Sequence, residues 1–174
     1  MPTARPSRYD PQAVLPLRQE LVNVGFRELL TAEDVDAVLT MKQGTVLLMV
    51  NSVCGCAAGS ARPAAMLALQ HSVIPDTCAT VFAGMELDAV DRARGYIKGV
   101  PPSSPCMALF RDGEVVTVVQ RQDIERRSAE EIAKVLRTAF DRFCARKGPS
   151  ISREEFVKLV PQHACGSQIP LYGE

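Results

Sequence analysis

Tryptophan is absent from this chain, and aromatic residues make up only 5% of it. That removes the stacking platforms on which readers of single-stranded nucleic acid depend. A charge excess is missing as well, since 20 Lys and Arg balance 20 Asp and Glu. Nothing in that balance steers the chain toward nucleic acid or an anionic membrane, so neither is expected as a partner. No stretch approaches the roughly 18 apolar residues that span a bilayer. Met1-Pro2-Thr3-Ala4-Arg5-Pro6-Ser7-Arg8 lacks the apolar centre of a signal peptide, and a cytoplasmic location is the expectation. Histidine is scarce too, with 2 in 174 residues. Cysteine is not scarce. In a reducing cytosol the 6 cysteines are not expected to form three structural disulfides, so any disulfide here should be transient and catalytic. The length fits one domain with additions and a real hydrophobic core.

The informative stretch is Val50-Asn51-Ser52-Val53-Cys54-Gly55-Cys56-Ala57-Ala58-Gly59. Before it, Thr45-Val46-Leu47-Leu48-Met49-Val50 is a short apolar run rich in β-branched residues, the pattern of a strand buried on both faces. After it, Ala57 to His71 is dominated by helix formers. Cys54 therefore sits at a strand-to-helix turn, near unpaired N–H groups and the positive end of a helix dipole. That placement lowers a thiol pKa and favours the thiolate, the form that attacks disulfides. Gly55 gives the backbone freedom that a Cys-x-Cys loop needs. A disulfide across so tight a loop, one residue smaller than a Cys-x-x-Cys ring, is strained, and strain raises its reduction potential above that of a thioredoxin.

Along the chain, residues 1–9 read as a disordered, Pro-containing lead. Asp10-Pro11 starts a helix whose stripe is Val14, Leu17, Leu21 and Val22, and Thr31 with Asp34 starts a second. Pro63 should kink the helix after the cysteines. Cys78 to Ala83 reads as a second buried strand parallel to the first, and Leu87 to Ile97 as a helix. Pro101-Pro102-Ser103-Ser104-Pro105 is a loop leading into Cys106-Met107-Ala108-Leu109-Phe110. Asp112-Gly113 then turns the chain into Val115 to Val119, a strong hairpin signal. Ser128 with Glu131 is a capping box for a helix with Ile132, Val135, Leu136, Ala139, Phe140 and Phe143 on one face. Lys147-Gly148-Pro149 reads as a linker into residues 146–174, an extension with one short helix begun by Ser152 and Glu155.

A βαβ unit followed by a hairpin and a closing helix gives an α/β fold, with a central four-stranded mixed sheet flanked by helices. Residues 10–145 form this domain, with extra N-terminal helices. The order resembles the thioredoxin-like fold, in which redox cysteines follow the first strand and a cis proline precedes the hairpin. The match to Asn51-Ser52-Val53-Cys54-Gly55-Cys56-Ala57-Ala58-Gly59 and Ala61-Arg62-Pro63-Ala64 is sharper. With Pro75-Asp76, Val81-Phe82-Ala83-Gly84, Pro102-Ser103-Ser104-Pro105 and Ala139-Phe140-Asp141 it resembles the bacilliredoxin family. The resemblance implies a thiol-disulfide oxidoreductase, with no tightly bound cofactor, that takes bacillithiol off proteins carrying it as a mixed disulfide. Family members have also been described as disulfide isomerases.

On this resemblance Cys54 attacks and Cys56 resolves, with bacillithiol as thiol co-substrate. Pro105 is cis and lies against the pair, leaving the Ser104 backbone free to pair with an extended substrate. Asn51 and Ser52 shape the turn. The implied partners are bacillithiol-modified or disulfide-containing proteins, a low-molecular-weight thiol and a recycling reductase. Other readings stay open: a general disulfide isomerase, a redox sensor, or a copper or zinc site joining Cys54 and Cys56 to His163 and Cys165. Cys78 reads as core. Cys106 reads as core too, although it follows the proline. Cys144 and Cys165 have no assigned role, and His71 reads as a helix cap.

Overall fold

Alternation along one buried strand decides how this molecule is layered. The computed structural model describes residues 4–159 and 170–172. Its elements in order are α1 (Pro11–Val22), β1 (Arg27–Glu28), α2 (Ala32–Leu39), β2 (Thr45–Asn51), a π-helical turn (Ala57–Ala61), α3 (Arg62–Ala68), β3 (Val73–Ile74) and β4 (Thr77–Phe82). Then come α4 (Leu87–Tyr96), β5 (Cys106–Arg111), β6 (Glu114–Val119), α5 (Arg121–Ile124), α6 (Ala129–Phe143), β7 (Arg146–Lys147) and α7 (Arg153–Val157). Every residue of β2 is buried. Its side chains alternate, as pleating requires. Leu47 and Met49 enter a core with α3 and α6, while Val46, Leu48 and Val50 enter a second core with α2 and α4. A strand covered on both faces has no polar side to show, which explains its unbroken apolar run.

The sheet order is β1-β4-β2-β5-β6, with β1, β4 and β2 parallel and β2, β5 and β6 antiparallel. The four expected strands are joined by a fifth, β1. At two residues it is too short to give a hydrophobic period. The hairpin turns at Asp112-Gly113, both with positive φ. Side-chain caps also sit where the sequence places them. Asp10 accepts from the N–H groups of Gln12 and Ala13, and reciprocal capping boxes open α2, α6 and α7. On α6 the buried face is Ile132, Leu136, Ala139 and Phe140, with Val135 and Phe143 half-buried beside them.

Three expectations are corrected by long-range contacts. Residues 4–9 are not a loose lead, because the Arg8 N–H donates to Gly84 O at 2.6 Å and Arg5 bridges Asp88 and Asp91. Lys147-Gly148-Pro149 does not behave as a free linker. β7 pairs with β3, and the Gly148 N–H donates to Ser72 O at 2.9 Å. Beyond it, Ile151, Phe156 and Leu159 pack on the α3/α6 core. His71 does not cap its helix but reaches across to Asp141 on α6, 2.7 Å away.

A Cβ on Gly148 would stand 2.0 Å from the His71 carbonyl oxygen. That contact is with backbone and cannot swing aside. Gly148→Ala is therefore expected to cost about 1–3 kcal/mol by overpacking, read as a lower thermal midpoint with exchange activity retained.

No helix among the described residues is long and apolar enough to cross a membrane.

Candidate functional site

The site is assembled where two strand ends meet. β2 and β5 run antiparallel, with Val50 opposite Cys106. The chain leaving β2 through Asn51 and Ser52 therefore lies beside the chain entering β5 through Ser104 and Pro105. The Ser104–Pro105 peptide is cis and Pro105 is buried. Helical backbone begins at Gly55, leaving Cys54 as the last residue outside it. The Cys54 carbonyl accepts from the N–H groups of Ala57 and Ala58, at 3.1 and 3.2 Å.

The helix then widens into a π turn whose last bond runs from the Arg62 N–H to Ala57 O. This is where the Pro63 kink was expected. The extra residue per turn falls just before the proline, which lacks the N–H for an ordinary ladder.

The two sulfurs lie 2.9 Å apart, within hydrogen-bond reach of each other. Their environments differ. Burial pushes the Cys54 thiol up, but hydrogen bonds from the Cys56 thiol, the Ser52 hydroxyl and the Ala57 N–H, helped by the Arg121 charge, outweigh it and bring it down. Cys56 is pushed up to about 11, first by burial and then by the neighbouring Cys54 sulfur as acceptor and as charge. The pair is thus polarised toward a Cys54 thiolate and a Cys56 thiol that donates to it. Gly55 is exposed between them, and nothing stands within 4 Å of where its Cβ would be. Its φ is not positive, so the loop does not exploit a left-handed glycine; the space beside its Cα is open.

Asn51 and Ser52 are hydrogen-bonded within and beside the turn. Asn51 Oδ1 accepts from the Ser52 N–H at 2.8 Å, its amide donates to Leu17 O, and Ser52 Oγ accepts from the Cys54 N–H at 3.2 Å. Beneath them lies Arg62, with none of its surface exposed, its Nη1 donating to Ser52 O at 2.9 Å and to Asn51 Oδ1 at 3.3 Å. Arg62 Nε pairs with the buried carboxylate of Glu20 on α1. The site rests on an ion pair that sequence reasoning missed, since Glu20 and Arg62 are distant along the chain.

Arg121 was missed as well. It opens α5, packs beside Glu125, and donates from Nη1 to Ser104 O at 3.3 Å. One lone pair of the Ser104 carbonyl, the group the resemblance offers to an extended substrate, is thus taken by Arg121.

The other cysteines among the described residues, Cys78, Cys106 and Cys144, lie outside this arrangement. Cys78 is buried in the α3/α6 core, where desolvation pushes its thiol up to about 12. Strand alternation turns Cys106 into the α2/α4 core, and burial raises its pKa. Cys144, half-buried at the end of α6, is raised to about 11 by burial. Among the described residues no three His, Cys, Asp or Glu side chains converge as a metal set. His163 and Cys165, the remaining ligands of the metal reading, lie outside the described residues.

Known proteins are similar to this chain over most of its length. A sequence model of the family described as Disulphide isomerase matches residues 9–144. A bacilliredoxin of Salinibacter ruber is 50% identical over 145 residues, covering 81% of this chain and 84% of that protein. One of Cytophaga hutchinsonii is 49% identical over 133 residues, covering 76% of this chain and 98% of that protein. One of Koribacter versatilis is 47% identical over 131 residues, covering 75% and 90%.

Proposed function

Because this chain belongs to the bacilliredoxin family, we propose that it takes bacillithiol off proteins that carry it as a mixed disulfide. The observation that carries the reading is the polarised pair, a Cys54 held toward thiolate with the Cys56 thiol 2.9 Å away.

The Cys54 thiolate attacks the bacillithiol sulfur. The bond between that sulfur and the modified protein breaks, and the protein sulfur leaves as a thiolate that takes a proton from water. Bacillithiol is now on Cys54. Two of the influences that raise Cys56, the Cys54 sulfur as hydrogen-bond acceptor and as negative charge, end with this step. Cys56 then loses its proton more readily. It attacks Cys54, expels bacillithiol as a thiolate, and leaves a Cys54–Cys56 disulfide for a reductase to reopen. Free bacillithiol can instead attack the adduct and leave as bacillithiol disulfide. Holding Cys54 as thiolate stabilises the reduced form, which adds to the tight ring in making the intramolecular disulfide oxidising.

A second reading is favoured by the description of the matching family, Disulphide isomerase: general exchange on protein disulfides. The two are separated by rates on a bacillithiolated protein and on an insulin-like disulfide substrate. Faster release of bacillithiol supports the first reading, and equal rates support the second.

The direction of the Cys54 shift fixes the pH dependence. Exchange should rise with pH through the lowered Cys54 pKa and level off before an ordinary thiol would. Arg121→Gln removes a charge that favours the thiolate, so its rise should move to higher pH. Because Arg121 is about half exposed, the slowing below the plateau should be no more than about fivefold. Initial alkylation rates of Cys54 against pH check this.

A further inference from the structure

Beside the cysteine turn lies a polar cleft of about 200 Å³ whose walls include Ser52, Ser104, Arg8, Tyr9, Asp91 and Arg94. Ser52 also bonds Cys54, so the cleft begins one side chain from the reactive sulfur. Its outer wall is the N-terminal segment, pinned by the Arg8 N–H bond to Gly84 O. Gly84 has φ +87, and a Cβ there would stand 2.6 Å from the Tyr9 ring. Only glycine lets Tyr9 close the wall this tightly.

The charges in the cleft do not cancel. Asp91, its one carboxylate, is already bonded to Arg5 at 2.6 Å. Among the described residues neither Arg8 nor Arg94 has a carboxylate partner, and the buried Nε of Arg94 has no hydrogen-bond acceptor. That Nε is sealed from solvent, whereas Arg8 is exposed and Arg94 as a whole only half-buried. A planar anion in the cleft supplies the opposite charge that the two guanidinium groups lack among their neighbours.

We propose that this cleft binds the carboxylate-bearing part of a low-molecular-weight thiol, with Arg8 and Arg94 as the anion-binding side chains. The proposal rests on the thiol-exchange reading of the same site. Its consequence is direction of attack. A mixed disulfide offers two sulfurs. Anchoring the small thiol's carboxylate in the cleft brings that thiol's own sulfur to Cys54. Cys54 then bonds to it, the disulfide breaks, and the protein sulfur departs as the thiolate. Without the anchor, attack on the protein sulfur competes: the mixed disulfide breaks, the small thiol leaves as its thiolate, and a protein–protein mixed disulfide remains.

The test uses Cys56→Ser protein, in which an adduct on Cys54 cannot be resolved internally. Adduct formation is followed by intact mass with three probes: bacillithiol disulfide, glutathione disulfide and the neutral hydroxyethyl disulfide. Each anionic probe is expressed as a ratio to the neutral one, which cancels any change in Cys54 itself. Adding Arg8→Gln and Arg94→Gln should lower that ratio by about tenfold or more, the scale of a lost charge-assisted bond. Arg94→Lys, which keeps the charge, should lower it less. A drop for bacillithiol alone identifies bacillithiol as the thiol the cleft selects; an equal drop for glutathione makes the cleft a general carboxylate site. Added salt should lower the ratio in the parent protein more than in the double variant, a comparison that needs no equal stability. An unchanged ratio overturns the cleft proposal while leaving thiol exchange standing. No adduct from any probe overturns both.

Discussion

Cys54→Ser is expected to abolish turnover on a bacillithiolated protein, by more than about 10³-fold, as loss of a nucleophile does elsewhere. Cys56→Ser should keep the first half of the reaction and stop there, with bacillithiol held on Cys54. The asymmetry follows from the two environments. Cys54 is the sulfur that accepts hydrogen bonds, from the Cys56 thiol, Ser52 and Ala57, and a serine hydroxyl in its place stays protonated and inert toward disulfides. Cys56, pushed up to about 11, is a thiol at neutral pH and a poor first attacker. Supplying free bacillithiol should restore turnover to Cys56→Ser, because an external thiolate can do the resolving step, and should do nothing for Cys54→Ser. A release assay with and without added bacillithiol distinguishes the two. Rescue of Cys54→Ser would reverse the assignment.

Arg62→Leu is expected to produce the largest loss of stability, about 3–5 kcal/mol, the scale for breaking a buried ion pair from one side. For a chain of this length that lowers the thermal midpoint by roughly 6–20 °C. Arg62 is fully buried and Glu20 nearly so. The substitution takes the guanidinium away from a carboxylate in the interior and from two acceptors of the cysteine turn, Asn51 Oδ1 and Ser52 O. Arg62→Lys should be intermediate, since an ammonium keeps the charge but cannot fork to three acceptors in one plane. The combined Glu20→Leu and Arg62→Leu protein should be more stable than Arg62→Leu alone, because no charge is then left behind. Even so, its exchange should remain slow if the ion pair positions the turn. Thermal melts beside alkylation rates of Cys54 separate the two effects. A midpoint for Arg62→Leu within a degree or two of the parent would remove the pair from any structural role.

What could be read from the residues was whatever local chemistry dictates. The run Thr45 to Val50 is apolar on both faces because both faces are buried. The capping boxes at Thr31, Ser128 and Ser152 act within four residues. Asp112-Gly113 needs its own backbone geometry and shows it. The cysteine turn belongs to this class too, as strand, turn and helix formers follow one another directly. The cis bond at Pro105 came from the resemblance alone. What stayed hidden was made by parts of the chain meeting from afar. β1, β3 and β7 have two residues each and exist only because a partner strand is there to pair with. Glu20 reads as one more surface acid until α1 is laid over Arg62. Arg121 reads as one more surface base until β6 delivers it to the Ser104 carbonyl. The first residues of the chain, polar and proline-rich, gave no hint that Arg8 and Tyr9 would wall a cleft at the reactive turn.

The most direct test is to mix Cys56→Ser protein with a bacillithiolated protein and weigh what forms. If the Cys54 thiolate attacks the bacillithiol sulfur, this chain gains the mass of bacillithiol on Cys54 and the substrate protein returns to its free thiol. A covalent complex of the two proteins as the main product, with bacillithiol set free, would show attack on the other sulfur and contradict the account.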